Sequence, residues 1–415
     1  MSKRTRHILA ASLAGTSIEF FDFYIYATAA SLVFGELFFP KVSVPAQLMA
    51  AYATFALAFV ARPLGAAVFG HFGDRIGRKS TLVSALLLMG GSTVAIGFLP
   101  TYQLVGWLAP LLLCILRFGQ GFGLGGEWGG AALLAVENAP KSHRARYGMF
   151  PPLGAPLGFF GANAVFLLLG LALPKADLAT FGWRLPFIGS AVLVWVGLWA
   201  RLKLTETADF KRALTQAPPS AVPMFELLRD YPRELLAGTF AVVGCFASFY
   251  LTTVFALGYA TKTLGFDREQ FLAVQLLAIS FMAVGVVISG YWADRSGQRL
   301  VLMLGSVAIF GAGLFYAPAL QSGSLVIVAA YLCVALLIIG LAYGPLGAWL
   351  PGLFAPRVRY TGVSMAFNTG GILGGAITPF FAEWLARTSG GLLLVGAYMC
   401  LAALVSFAAL AGLRR

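Results

Sequence analysis

Twelve apolar runs, each about 20 residues or longer, succeed one another along the chain, at roughly 8–34, 47–72, 80–99, 106–137, 148–173, 184–203, 235–260, 269–292, 300–320, 324–350, 360–385 and 391–413. An α-helix rises 1.5 Å per residue, so about 20 residues cross the ~30 Å hydrocarbon core of a bilayer, where backbone polar groups must be satisfied within the chain. The expected fold class is therefore an all-α polytopic membrane protein with twelve transmembrane helices. A soluble core of 415 residues would not need 59% hydrophobic and only 11% charged residues.

The formal net charge of +13 could suit nucleic acid, but its placement argues otherwise. Of 29 Lys and Arg residues, 21 fall on the tails and on the connections after even-numbered runs, and six on the opposite connections. The remaining two, Arg62 and Arg117, lie inside runs. Basic residues are retained on the cytoplasmic side. Both termini are thus expected in the cytoplasm, in a cell inner (plasma) membrane, with the lipid bilayer and not nucleic acid as partner. No cleavable signal peptide is expected, because the first run is too long and carries Glu19 and Asp22.

Catalytic and metal constellations are not evident in the sequence. Cys114, Cys245, Cys333 and Cys400 sit in separate runs, and His7, His71 and His143 lie at run edges. There is no Walker loop to support ATP drive. The chain is expected not to be an enzyme, with no cofactor and no metal, and a functional monomer suffices.

The most specific motif is a charged turn, Gly70-His-Phe-Gly-Asp74-Arg75-Ile-Gly77-Arg78-Lys79, wedged between two runs. It returns at Gly290-Tyr-Trp-Ala-Asp294-Arg295-Ser-Gly297-Gln298-Arg299, displaced by 294 − 74 = 220 residues, about half the chain. The glycines permit a tight reversal while the basic residues stay with water and anionic headgroups. Runs 5 and 11 repeat each other too: both open on Arg-Tyr, at Arg146 and Arg359, and both are interrupted by Gly and Pro. These repeats predict two copies of one unit: residues 1–200 and 235–415 as six-helix bundles, joined by a cytoplasmic, partly helical linker at 201–234.

Polar residues inside the runs are the candidate site. Glu19, Asp22 and Tyr26 share one face of helix 1, with Glu19 about 16 Å in from the start of the run. Burying an ionised carboxylate there costs about 3 kcal/mol. Either it is a structural acid, neutralised by a basic neighbour or protonated, or it is a proton or substrate site; the stripe of two acids and a tyrosine favours the second. Arg62, followed by Pro63, is equally suited to pairing with an acid of helix 1 or to binding substrate. On helix 4, Arg117, Gln120 and Glu127 fall within about 80° of one another, interleaved with glycines that allow close packing. The second half is expected to lack membrane-embedded charge, offering neutral groups such as Tyr250, Gln275, Tyr343 and Asn368.

At residues 70–79 the sequence resembles the major facilitator superfamily, whose signature loop joins helices 2 and 3. Arg117-x-x-Gln120-Gly121-x-Gly123 resembles its helix 4 signature. Glu19-Phe-Phe-Asp22-Phe-Tyr24, Arg62-Pro63-Leu-Gly65, Gly125-Gly126-Glu127-Trp128-Gly129-Gly130 and Gly182-Trp183-Arg184-Leu-Pro186-Phe187 are similar to the metabolite:proton symporter family. Its members carry shikimate, 2-oxoglutarate, citrate, or proline with glycine betaine.

The resemblance implies the major facilitator fold, with two pseudo-symmetric halves. Asp22 and Glu19 become proton-binding candidates, with Arg117 as their basic partner and Glu127 beside it. Arg62, Arg117, Tyr26, Gln120, Tyr250, Gln275 and Asn368 become substrate-binding candidates. Gly70, Asp74, Arg75, Gly77 and Arg78 would form a cytoplasmic gate against helix 11. Asp294 and Arg295 would do the same in the second copy, more weakly because Gln298 stands where the first has Arg78. The expected function is proton-coupled symport of a small organic anion by alternating access. Alternatives are a zwitterionic osmolyte or amino acid, disfavoured by the lack of a long charged C-terminal extension, and an uncoupled facilitator.

Overall fold

The computed structural model describes residues 3–75, 78–202 and 223–413. Among them the chain forms long helical rods and no strand. They are α1 (Ile8–Phe38), α2 (Ala46–Gly73), α3 (Ser80–Gly97), α4 (Leu108–Glu137), α5 (Lys141–Ala172) and α6 (Leu178–Leu202), followed by α7 (Pro232–Lys262) and α8 (Arg268–Ser296). The last four are α9 (Gln298–Leu314), α10 (Leu325–Gly352), α11 (359–386) and α12 (Gly391–Gly412). Ten are long and apolar enough to cross a membrane. The two that fall short are α9, which stops after 17 residues, and α11, whose first part reads Arg-Tyr-Thr-Gly-Val-Ser. Both are shorter or more polar than the runs at 300–320 and 360–385 suggest. Twelve crossings return the chain to the side it started from, called here the termini side.

Within the first six rods, α1 packs on α5, α2 on α4 and α3 on α6; within the last six, α7 packs on α11 and α12, α8 on α10 and α9 on α12. The most extensive pairings between the sets are α2 with α11 and α5 with α8, and α4 also meets α10 and α11 across the same seam. Glycine permits the closest approaches. A Cβ at Gly121 would run into the Ala58 carbonyl of α2, and one at Gly347 into the Gly148 carbonyl of the other half. The outer faces carry exposed Val192, Trp195, Leu314 and Val326, as a lipid-facing surface requires.

Several rods are interrupted. Wide π turns sit in α1 at Ala30–Phe34, in α7 at Leu251–Phe255 and in α11 at Ile372–Ala376. The first two are 251 − 30 = 221 residues apart, in step with the repeat of the charged turn. α4 breaks at Gly126, between Leu108–Gly125 and Glu127–Glu137.

Residues 203–222 lie outside the described residues, so most of the expected linker does too. Its end is helical, Pro223–Asp230. That helix buries Pro223 and Leu227 against α2, α7 and α11, and Glu226 pairs with Arg357. The membrane interior of the second half is not free of charge as the sequence suggested. Glu383 of α11 is buried, and it is held by Arg387 one turn on.

Candidate functional site

Helix α1 carries its polar residues at three levels, and each meets different partners. Nearest the termini side, Glu19 pairs with Arg201, which also pairs with Glu127 of α4 and donates from Nη1 to the Leu82 carbonyl at 3.0 Å. All three side chains are buried. One guanidinium thus holds two carboxylates. The resemblance had given the acids Arg117 as basic partner; the partner of Glu19 and Glu127 is Arg201, from the last turn of α6. In the sequence it read as one of the 21 loop charges, and only the packing of α6 against α1 and α3 turns it inward.

One turn along α1, Asp22 is fully buried, and neither carboxylate oxygen has a hydrogen-bond partner among the described residues. The hydroxyls of Ser190 on α6 and Thr93 on α3 lie beside it. The Ser190 hydroxyl has no other hydrogen-bond partner among the described residues. Thr93 is engaged by Met89 and by Gln120, whose amide also donates to the Asp22 backbone carbonyl at 3.0 Å.

At the third level Tyr26 bonds Thr54, and the Arg117 guanidinium lies 3.7 Å from the centre of the Tyr26 ring. Arg117 also donates to Gln120 and, at 3.4 Å, to the Phe55 carbonyl. Because α4 is broken at Gly126, Arg117 with Gln120 and Glu127 do not share one site as the continuous-helix reading expected.

Arg62 stacks on Phe23 and Phe59, 4.3 and 4.0 Å from their ring centres, and its Nε and Nη2 have no hydrogen-bond partner among the described residues. Its charge faces Tyr24, Tyr250 and Tyr343. Those three tyrosines line a small, closed central cavity between the two sets of helices, with about 20 Å³ of free space, completed by Phe20, Ala155, Cys245, Phe246, Phe249, Met282 and Ile339. Every lining residue is buried. The walls are aromatic faces and tyrosine hydroxyls, with no charged side chain among them.

The cavity is closed on both sides by hydrogen bonds to interrupted helices. On the termini side the α4 break offers two carbonyls across the interface: Gly125 O accepts from Asn368 at 2.8 Å, and Gly126 O from the Tyr360 hydroxyl. Trp128 and Phe367 stack face to face, 3.7 Å apart. On the opposite side the π turn of α7 is covered in the same manner. Leu251 O accepts from Tyr316 at 2.8 Å, Thr253 O from Gln275 at 2.8 Å, and Val254 O from Tyr52 of α2 at 3.2 Å. Asn163 of α5 also reaches Gln275. Of the substrate candidates, Tyr250 therefore borders the cavity, whereas Gln275 and Asn368 close the interface and Gln120 and Tyr26 hold Arg117.

Of the gate candidates, Gly70 and Gly73 of α2 approach Thr361 and Tyr360 of α11. The side chains of Asp74, Arg75, Gly77 and Arg78 fall outside the described residues. Asp294 accepts from the Ala145 N–H at 2.8 Å and pairs with Arg146 Nε at 2.9 Å, so the second copy is firmly engaged across the halves. Gly297 takes φ +89°, as a tight reversal between α8 and α9 needs. Arg295 is exposed.

A polytopic helical protein whose two sets of six helices enclose a small cavity, with closures on either side, belongs to the class of membrane carriers. Comparison with known proteins agrees. The profile of the Major Facilitator Superfamily matches residues 12–379. The inner membrane metabolite transport protein YhjE of Escherichia coli K12 is 49% identical over 397 residues, 94% of this chain and 90% of that protein. The shikimate transporter of the same strain is 34% identical (92% and 88% covered) and its proline/betaine transporter 30% (97% and 82%). Among solved structures, the partially occluded inward-open xylose transporter XylE of E. coli superposes with a TM-score of 0.78 at 16% identity, covering 100% of this chain and 98% of that one. The chain belongs to the major facilitator superfamily, and its relatives named here are transport proteins.

Proposed function

We propose that the chain is a proton-coupled symporter that imports a small organic acid across the inner membrane, with both termini in the cytoplasm. The bodies that rock about the central cavity are residues 1–200 and 235–415, connected by 201–234. The observation that carries the reading is Asp22: a fully buried carboxyl without a hydrogen-bond partner, on the same helix as Phe20 and Tyr24 of the cavity wall. No cation pairs with it among the described residues and only the Ser190 and Thr93 hydroxyls lie beside it, so the ionised form is costly at this depth, and the group binds a proton in one part of the cycle and releases it in another. The substrate carboxylate meets Arg62, whose Nε and Nη2 are unpartnered, with Tyr24, Tyr250 and Tyr343 supplying hydroxyls. Charge-assisted bonds of this kind are the strong ones. The drive is the proton gradient, with no cofactor.

The names of relatives support transport of metabolites, a shikimate transporter being among them. A second reading, symport of a zwitterion such as betaine, is favoured by the aromatic walls, since quaternary ammonium groups are recognised by aromatic faces.

The test is internal pH in proteoliposomes challenged with candidate acids. Acidification on adding an organic acid, lost in Asp22→Asn while acid exchange between the two sides persists, is the expected result. Saturable uptake without acidification would leave an uncoupled facilitator.

A further inference from the structure

Six charged side chains lie buried in the shared interior among the described residues: Glu19, Asp22 and Glu127, with Arg62, Arg117 and Arg201. Glu383 is also buried, but Arg387 closes it at the far end of α11. Counted formally, three carboxylates face three guanidiniums. Their arrangement is uneven. With both glutamates ionised, the Arg201 cluster holds two carboxylates for one guanidinium, a surplus of one negative charge. Arg62 and Arg117 lie on aromatic rings with no carboxylate in ion-pairing distance among the described residues, a surplus of two positive charges. Asp22 supplies the last negative charge and closes the balance.

A proton on Asp22 therefore leaves the interior with one net positive charge, on the arginines beside the cavity. A buried charge without a counter-charge is expensive in a medium of low dielectric, so the occluded carrier is best balanced when the cargo brings one negative charge. We infer that the site carries a monocarboxylate together with one proton, an electroneutral pair, and discriminates against di- and tricarboxylates and against zwitterions.

The cavity agrees in form. One partly unpartnered guanidinium, Arg62, faces its three tyrosines, and the rest of the wall consists of aromatic and aliphatic side chains that offer a second carboxylate nothing. Arg117 is not among the lining residues: it donates to Gln120 and the Phe55 carbonyl and lies on the Tyr26 ring, although its Nε too has no hydrogen-bond partner among the described residues. The groups that face Asp22 are Glu19 on its own helix, Thr93 of α3, Gln120 of α4 through the backbone, and Ser190 of α6. Of these only Glu19 is charged, and Arg201 holds it.

This inference rests on the proton-coupled reading above, and one experiment separates the two. Proteoliposomes carrying the full chain are loaded so that the pH gradient and the membrane potential are set independently with potassium and valinomycin. The probes are shikimate and quinate (one carboxylate), 2-oxoglutarate (two), citrate (three) and glycine betaine. Monocarboxylate uptake should follow the pH gradient, about tenfold accumulation per pH unit, and should not change when 100 mV is applied. One net charge per cycle would shift accumulation about 50-fold per 100 mV. Uptake of a monocarboxylate that follows the potential, or preference for 2-oxoglutarate, citrate or betaine, overturns the single-charge inference and leaves proton coupling standing. If no probe responds to the pH gradient, both fall. Arg62→Gln gives an independent check: thermal unfolding in detergent should stay near wild type while the stabilising shift produced by the monocarboxylate is lost. A retained shift overturns the assignment of the charge to Arg62.

Discussion

Replacing Arg201 by methionine would strand Glu19 and Glu127 in the interior with no counter-charge. Breaking a buried ion pair by removing one partner costs about 3–5 kcal/mol, so Arg201→Met should unfold at clearly lower temperature in detergent. Adding Glu19→Gln and Glu127→Gln should restore much of that loss, because the uncompensated charges go with it; no recovery would show that Arg201 acts through packing instead. The sequence left two fates open for Glu19, and the structure supplies the basic neighbour that one of them required. Glu19, Asp22 and Tyr26 were legible as polar residues on one helical stripe. Their separation into three environments was not, because the partners come from α2, α3, α4 and α6, and helical periodicity carries no information about which side chain arrives from another helix. Arg201 was the residue missed. Its place at the end of a run made it look like an anchor in the headgroups, and a last-turn arginine among buried acids is the signal that could have found it.

Helix breaks do the work of closure at the next scale up. Carbonyls at the α4 break and at the π turn of α7 are bonded by side chains of the opposite half, and in the proposed cycle these would leave when the halves part on that side. Removing one hydroxyl without changing shape should therefore bias the cycle in a defined direction. Tyr360→Phe should raise labelling of a cysteine placed in the interface on the termini side. Tyr52→Phe should raise labelling of one on the opposite side. A net hydrogen bond contributes about 0.5–1.5 kcal/mol, so each shift should be a few-fold; equal labelling in both variants would refute the directional role. Glycine packing belongs to this scale as well. Gly121→Val would push α4 off the Ala58 carbonyl of α2 and should lower the yield of folded protein. The glycines of helix 4 were readable in the sequence as a close contact, but the break at Gly126 was not. What caps the freed carbonyls was not readable, since Asn368 and Tyr360 are more than 230 residues away along the chain.

For the whole molecule the repeat was the most legible feature. An offset of 220 residues in the charged turn reappears as 221 between the π turns of α1 and α7, and the two most extensive cross-half pairings, α2 with α11 and α5 with α8, exchange corresponding helices. Apolar periodicity located the rods but overstated α9 and α11, because a short helix with a break and a helix rich in Ser, Thr and Gly both read as continuous once neighbours are ignored. Gly347→Val should hold the halves apart, since the Gly148 carbonyl occupies the space a side chain needs. Its expected signature is slower uptake together with a standing increase in labelling on the termini side. The stacked pair on that same seam has a use of its own. Trp128 is pressed flat against Phe367 of the opposite half, so every opening on the termini side must peel an indole from a ring and change the polarity around it. The protein thereby carries a native optical gauge of its cycle: with eight tryptophans in the chain, the emission difference between wild type and Trp128→Phe would report, in real time and without any attached dye, how often the carrier opens.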